Sequence, residues 1–149
     1  LPTLLRIAAV FGIGLEDFFT GTPPQAWLVR RDERLRFPEA QGVTDAAFEF
    51  EALNFSAPGR ALNAYLAEFA PRGAVTRLHR HEASEFVHVL SGTLAVQVDG
   101  VAYELSEGDS LHIASGAPHG YAATGTGPCR AIVVTTAEPS AARGVTDSD

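Results

Sequence analysis

Four residues concentrate the chemistry of this sequence: His79, His81, Glu85 and His119. Three imidazoles and one carboxylate make a borderline nitrogen–oxygen ligand set. It suits iron, manganese, nickel, cobalt, copper or zinc, and suits calcium poorly. In a strand, residues two apart face the same side, so His79 and His81 project together, with Arg77 beside them. Glu85 shares that parity and rejoins them if the strand pair continues past a bend at Glu82-Ala83-Ser84. His119 lies far along the chain and must close the cluster from another strand. Any one of these histidines alone would pass as a polar-core or surface residue, and the spacing of all four is what sets them apart. His88 and His112 sit in apolar strands where an aromatic could serve equally well. The odd offset of His88 from Glu85 also turns it away from the ligands.

Such a cluster needs a scaffold that brings distant strands together. From Trp27 onward, short runs of β-formers alternate with turn signals. Candidate strands span 27–36, 47–54, 60–69, 75–81, 85–90, 93–98, 101–105, 109–113, 119–123 and 129–136. Asp99-Gly100, between Leu94–Val98 and Val101–Leu105, is the clearest hairpin signal. Ten strands with no helix between them predict an all-β antiparallel barrel or sandwich. In such a barrel, same-face residues from separate strands converge on the interior.

Before the strands the pattern differs. Residues 1–19 read as helical: Pro2 suits a first turn, Leu4, Leu5, Ala8 and Phe11 recur at helical spacing, and Gly12 suits a stop. The Gly/Pro stretch Thr20-Gly21-Thr22-Pro23-Pro24 is the best linker. The expected division is therefore a helical piece at 1–21, a linker at 22–26, the barrel at 27–136 and a fraying tail at 137–149.

Bulk composition excludes several classes. The chain has 149 residues, 46% of them hydrophobic, enough for one barrel core with a short appendage. A net charge of −7 is the wrong sign for a dedicated nucleic-acid binder. No apolar run is long enough to span a bilayer and no signal peptide opens the chain, so a cytoplasmic setting without membrane contact is expected. A single cysteine, Cys129, excludes an internal disulfide and a thiolate cluster, and reads as a small buried apolar side chain. The chain starts at Leu1 and contains no methionine, so it reads as a piece that begins inside a domain.

The ligand spacing resembles the first motif of the cupin superfamily. Gly73, five residues, His79-Arg80-His81, three residues, Glu85, six residues and Gly92 match it at each defined position. The second motif is approximate: Gly108 is followed by Ala114, where proline is usual, then Gly116 and His119, with Ala123 where asparagine is usual. Neither departure removes a ligand. The resemblance implies a jelly-roll cupin barrel with one divalent transition metal on His79, His81, Glu85 and His119. Leu1–Ile13 and Leu15–Phe19 resemble the last two helices of the Cro/repressor-like (XRE) helix-turn-helix domain. Val29-Arg30-Arg31-Asp32-Glu33-Arg34 is similar to the opening strand of cupins attached to such domains. Together these imply an N-terminally truncated helix-turn-helix–cupin transcription regulator. It would act as a homodimer and contact DNA only through the part before residue 1.

Two functions follow from this. In the first, the barrel is a sensory module that binds a small effector through or beside the metal. Arg77, facing inward, would then offer its guanidinium to an anionic effector, and Tyr121, sharing parity with His119, would line the same cavity. Their plainer readings are a structural ion pair, or a rim position open to water, for Arg77, and core filling for Tyr121. In the second, the metal is catalytic, as in an oxygenase-like enzyme or a Lewis-acid isomerase or decarboxylase. No acid–base group is evident beside the ligands, so no catalytic residue is assigned.

Overall fold

The computed structural model describes residues 24–38, 48–71 and 78–137. The expected helical piece at 1–21, Arg77 and the tail beyond Ala137 lie outside them. Nine strands follow in order: β1 (Leu35–Pro38), β2 (Phe48–Ala52), β3 (Leu62–Phe69), β4 (Glu85–Ser91), β5 (Leu94–Val98), β6 (Val101–Leu105), β7 (Ser110–Ile113), β8 (His119–Ala123) and β9 (Cys129–Thr136). All pairings are antiparallel. They form a six-stranded sheet, β1-β2-β3-β9-β4-β7, and a three-stranded sheet, β6-β5-β8. The expected all-β antiparallel barrel is what the chain forms.

Alternation decides which face goes inside. Along β4, Glu85, Val87 and Val89 are buried while Phe86 and Leu90 are exposed; β9 buries Cys129, Ala131 and Val133 in the same rhythm. These residues meet Leu94 and Val96 of β5, Leu105 of β6 and Ile113 of β7 in one core between the sheets. Cys129 is fully buried there, as expected, and burial pushes its thiol up to about 11.

The turns hold the sheets in register. Asp99 and Gly100 both take positive φ, 48° and 80°, and close the predicted β5–β6 hairpin with Val98 opposite Val101. Gly92 has φ 82°, and a Cβ there would lie 2.7 Å from the Pro128 carbonyl oxygen. The glycine closing the first motif is therefore required by contact as well as by conformation.

The first strand is shorter than expected. Strand 27–36 was predicted, but pairing begins only at Leu35. Glu33 turns the chain: its backbone N–H donates to the Arg30 carbonyl at 3.0 Å, and its carboxylate accepts from the Arg30 N–H at 2.9 Å. A 3₁₀ turn at Arg31–Glu33 results. Strand 75–81 is also reduced. Among its described residues only His79 pairs, in an isolated bridge to His119.

Candidate metal centre

The segment that carries the first two histidines is sewn to the loop and strand that carry the last. His79 and His119 exchange both backbone hydrogen bonds, N–H to carbonyl at 2.7 and 2.9 Å. Directly opposed residues of an antiparallel pair face the same side, so the two rings share one face, with centroids 6.4 Å apart. The Gly116 N–H donates to the His81 carbonyl at 2.9 Å, and Arg80 Nε donates to the Gly116 carbonyl at 3.1 Å. Ser115 Oγ donates to the Glu82 carbonyl. After the bend at Glu82-Ala83, β4 begins with Glu85 pointing inward, so the parity argument holds across the bend.

Three of the four, His81, Glu85 and His119, converge at one end of the barrel interior, and His79 lines the same cavity. Glu85 Oε2 lies 3.0 Å from His81 Nε2 and 3.2 Å from His119 Nε2. Tyr121 Oη donates to the other carboxylate oxygen, Oε1. Ligand atoms of His81, Glu85 and His119 all fall within 4.8 Å of one another, a group that could hold a metal ion. Glu85 is 5% exposed and His119 2%, so an unbalanced charge here would be costly. His79 stands apart from this triple. Its Nε2 is buried with no hydrogen-bond partner among the described residues.

Proton bookkeeping gives the site its chemical sense. His81 Nδ1 lies 3.1 Å from the Ala83 carbonyl, and His119 Nδ1 lies 2.9 Å from the Ala117 carbonyl. A carbonyl only accepts, so each Nδ1 carries the proton. In a neutral ring each Nε2 then presents a lone pair to Glu85, itself an acceptor. Lone pairs face lone pairs unless a cation or extra protons sit between them. Burial alone would lower the pKa of His119, but the hydrogen bond to Glu85, the Ala117 carbonyl and the Glu85 charge outweigh it and raise it. Backbone carbonyls that fix the Nδ1–H tautomer and free Nε2 are the usual support of metal-binding histidines. The buried, unpartnered Nε2 of His79 fits the same group. A transition metal therefore suits the residues present.

The site opens into a cavity of about 730 Å³, the size range of small-molecule sites. Its walls run from exposed Gly59 through half-buried Arg60, Asn63, Phe48 and Phe50 to buried Phe69, Glu85 and Tyr121. Tyr65 lines it as well; burial first and the Glu85 charge last push its phenol above the ordinary value, with Arg60 opposing. Tyr121 is where parity placed it, lining the cavity, and it also bonds Glu85. His88 faces the other side of β4, 2.8 Å from Ser110 Oγ, and His112 is exposed. Sequence reasoning missed Arg60, Asn63 and the phenylalanine wall, whose residue types carry no spacing signature.

Comparison with known proteins agrees with this architecture. Residues 65–135 match the cupin domain family. Over 134 residues the chain is 27% identical to the HTH-type transcriptional regulator PuuR of Escherichia coli, covering 89% of this chain and 70% of that protein. A shorter stretch of 55 residues, 37% of this chain and 36% of the relative, is 44% identical to the dimethylsulfoniopropionate lyase DddW of Ruegeria pomeroyi. Among solved structures, iron(II) HppE superposes with a TM-score of 0.62 at 23% identity, covering 91% of this chain and 75% of that one. KdgF from Halomonas sp. superposes with a TM-score of 0.59 at 20% identity, covering 76% and 96%. The jelly-roll barrel, the family match and the converging His81, Glu85 and His119 together make residues 65–135 a cupin domain, in a chain similar over most of its length to a helix-turn-helix-type regulator.

Proposed function

We propose that this barrel is the metal-containing, effector-binding domain of a helix-turn-helix-type transcription regulator, with His79, His81, Glu85 and His119 as the metal ligands. One observation carries the metal: two histidines, each locked as the Nδ1–H tautomer, turn bare Nε2 atoms toward the same carboxylate oxygen. The similarity to PuuR carries the regulatory half. A bound iron, manganese, nickel, cobalt, copper or zinc ion would supply an electron-pair acceptor for an effector's donor atom. The chain's own part is to hold the ligands, to orient Glu85 through Tyr121 and to enclose the effector within apolar walls. Effector binding shifts a regulator only if it favours one of two arrangements. A homodimer, with β1 as the edge strand of the six-stranded sheet among the described residues, would provide them. Among the described residues no helix is long and apolar enough to cross a membrane, and a cytoplasmic setting completes this reading.

The experiment is metal analysis of the purified chain by inductively coupled plasma mass spectrometry. We expect about one transition-metal ion per chain, falling below about a tenth in the His79→Ala/His119→Ala double variant. Equal metal content in the two proteins would remove the basis of the proposal. A second reading, a metal-dependent enzyme, draws on the 55-residue similarity to the lyase DddW. Turnover of a supplied organic acid by the metal-loaded chain would favour it.

A further inference from the structure

The cavity wall also carries a cation, Arg60, that the metal reading does not use. Arg60 is held in place by the loop between β2 and β3. Its Nε donates to Asn63 Oδ1 at 2.6 Å, its Nη1 donates to the Phe55 carbonyl at 3.0 Å, and its guanidinium lies 4.9 Å from the Phe55 ring centroid. The loop is itself braced. Asn54 Nδ2 donates to the Leu62 carbonyl at 2.9 Å while its Oδ1 accepts from the Ala64 N–H at 2.9 Å, and Trp27 Nε1 donates to Ser56 Oγ at 3.0 Å. Arg34, Arg36 and Arg130 all pair with glutamates, whereas Arg60 has no carboxylate partner among the described residues. Among the described residues nothing accepts from its Nη2 group, and the bond from Arg60 fixes the Asn63 amide so that its NH₂ is also unspent there. Beyond these donors, the cavity wall of Phe48, Phe50 and Phe69 is a run of rings with centroids 5.3 to 5.9 Å apart.

We propose that Arg60 and Asn63 form an anion-capture subsite at the cavity mouth, selecting a small organic acid whose apolar body lies along Phe48, Phe50 and Phe69. This rests on the cavity being the effector site, and it names the chemical class of the effector. A pre-positioned guanidinium with two free N–H groups matches a carboxylate or phosphonate at little ordering cost. The apolar wall rewards a hydrophobic body and rejects a second charge, since nothing along it could pair one.

The test is calorimetric titration of the whole chain with phenylalkanoates from benzoate to 4-phenylbutanoate and with their matched amides. Metal content and thermal melting are recorded for every protein used. In the metal-loaded wild type at least one acid binds, and more tightly than its amide by about tenfold or more. In Arg60→Gln the acid weakens by about tenfold or more and the preference over the amide disappears, while metal content stays at the wild-type level. Arg60→Lys, which keeps the charge without the fork, falls between and guards against a fold defect in the glutamine variant. Wild-type-like binding of the acid by Arg60→Gln, with loss only on stripping the metal, would place the acid on the metal and overturn the proposal. So would failure of every acid in the series to bind. A chain that binds no metal yet prefers acids through Arg60 would sink the metal reading and leave this subsite standing.

Discussion

The two ends of the cavity are built by opposite strategies. At the closed end, the candidate ligand residues come from three segments and are fixed by backbone pairing: the His79–His119 bridge, the Gly116 bond to His81 and the ladder of β4. At the open end, Arg60 and Asn63 belong to one loop and the start of one strand, and the loop is fixed by the side chain of Asn54. A metal ion tolerates little error in the position of its ligands, so the fold commits its backbone to them. A carboxylate accepts from a guanidinium in several ways, so a braced loop is sufficient. On the proposed reading, the metal chemistry would sit on paired backbone, while selectivity would sit where the chain can change without disturbing a ladder.

That contrast can be broken in three places. The largest effect is expected at the closed end. Glu85→Gln removes the charge that both Nε2 atoms face and leaves the shape nearly intact, so metal affinity should fall by about a hundredfold or more. The acid-over-amide preference at Arg60 should survive, and competition with a chromogenic chelator alongside the calorimetry reads both. A selectivity that vanished together with the metal would show that the two ends are one site.

An intermediate effect belongs to the open end. Asn54→Ala frees one donor and one acceptor at the loop base and should cost about 1–2 kcal/mol in chemical denaturation. Ligand selectivity should weaken while metal content is unchanged. Loss of metal in this variant would contradict the division.

The smallest effect lies on the outer face, away from both ends. Glu51 bridges Arg36 at 2.5 Å and Arg34 at 3.3 Å. Burial alone would raise its pKa, but hydrogen bonds and charge from Arg36 and then Arg34 outweigh it and hold it below the ordinary value. A depressed carboxylate contributes stability above its unfolded pKa and loses it as pH falls through the folded one. Glu51→Gln should therefore cost less than about 1 kcal/mol at pH 7, and nothing once the pH is well below 4. Melting curves of both proteins across that range, with metal content held equal, would measure it. A difference that persists in strong acid would show that Glu51 acts through packing rather than charge.

The same division explains what was legible beforehand. The convergence of His81, Glu85 and His119 could be read because strand parity and motif spacing together dictate which residues share a face. The Asp99-Gly100 turn could be read because few residue pairs take positive φ twice. Strand β1 was misplaced because a local carboxylate, Glu33, captured the Arg30 N–H and turned the chain before pairing began, and β-propensity does not register that competition. Arg60 was invisible for a different reason. A lone arginine after Pro58-Gly59 looks like any loop cation until the cavity is known, along with its lack of a carboxylate partner among the described residues, and the sequence drew attention to Arg77 instead.

The candidate ligands are also divided between the two sheets, and this has a mechanical consequence. Glu85 begins β4 of the six-stranded sheet, whereas His119 begins β8 of the three-stranded one. An ion held by both is a rivet through the sandwich, closing a long loop of chain that would otherwise be free to open. Chelation would then act on cohesion between the layers before it acted on either layer. The occupancy of one small site would set how firmly the two walls of the cavity are held to a common spacing.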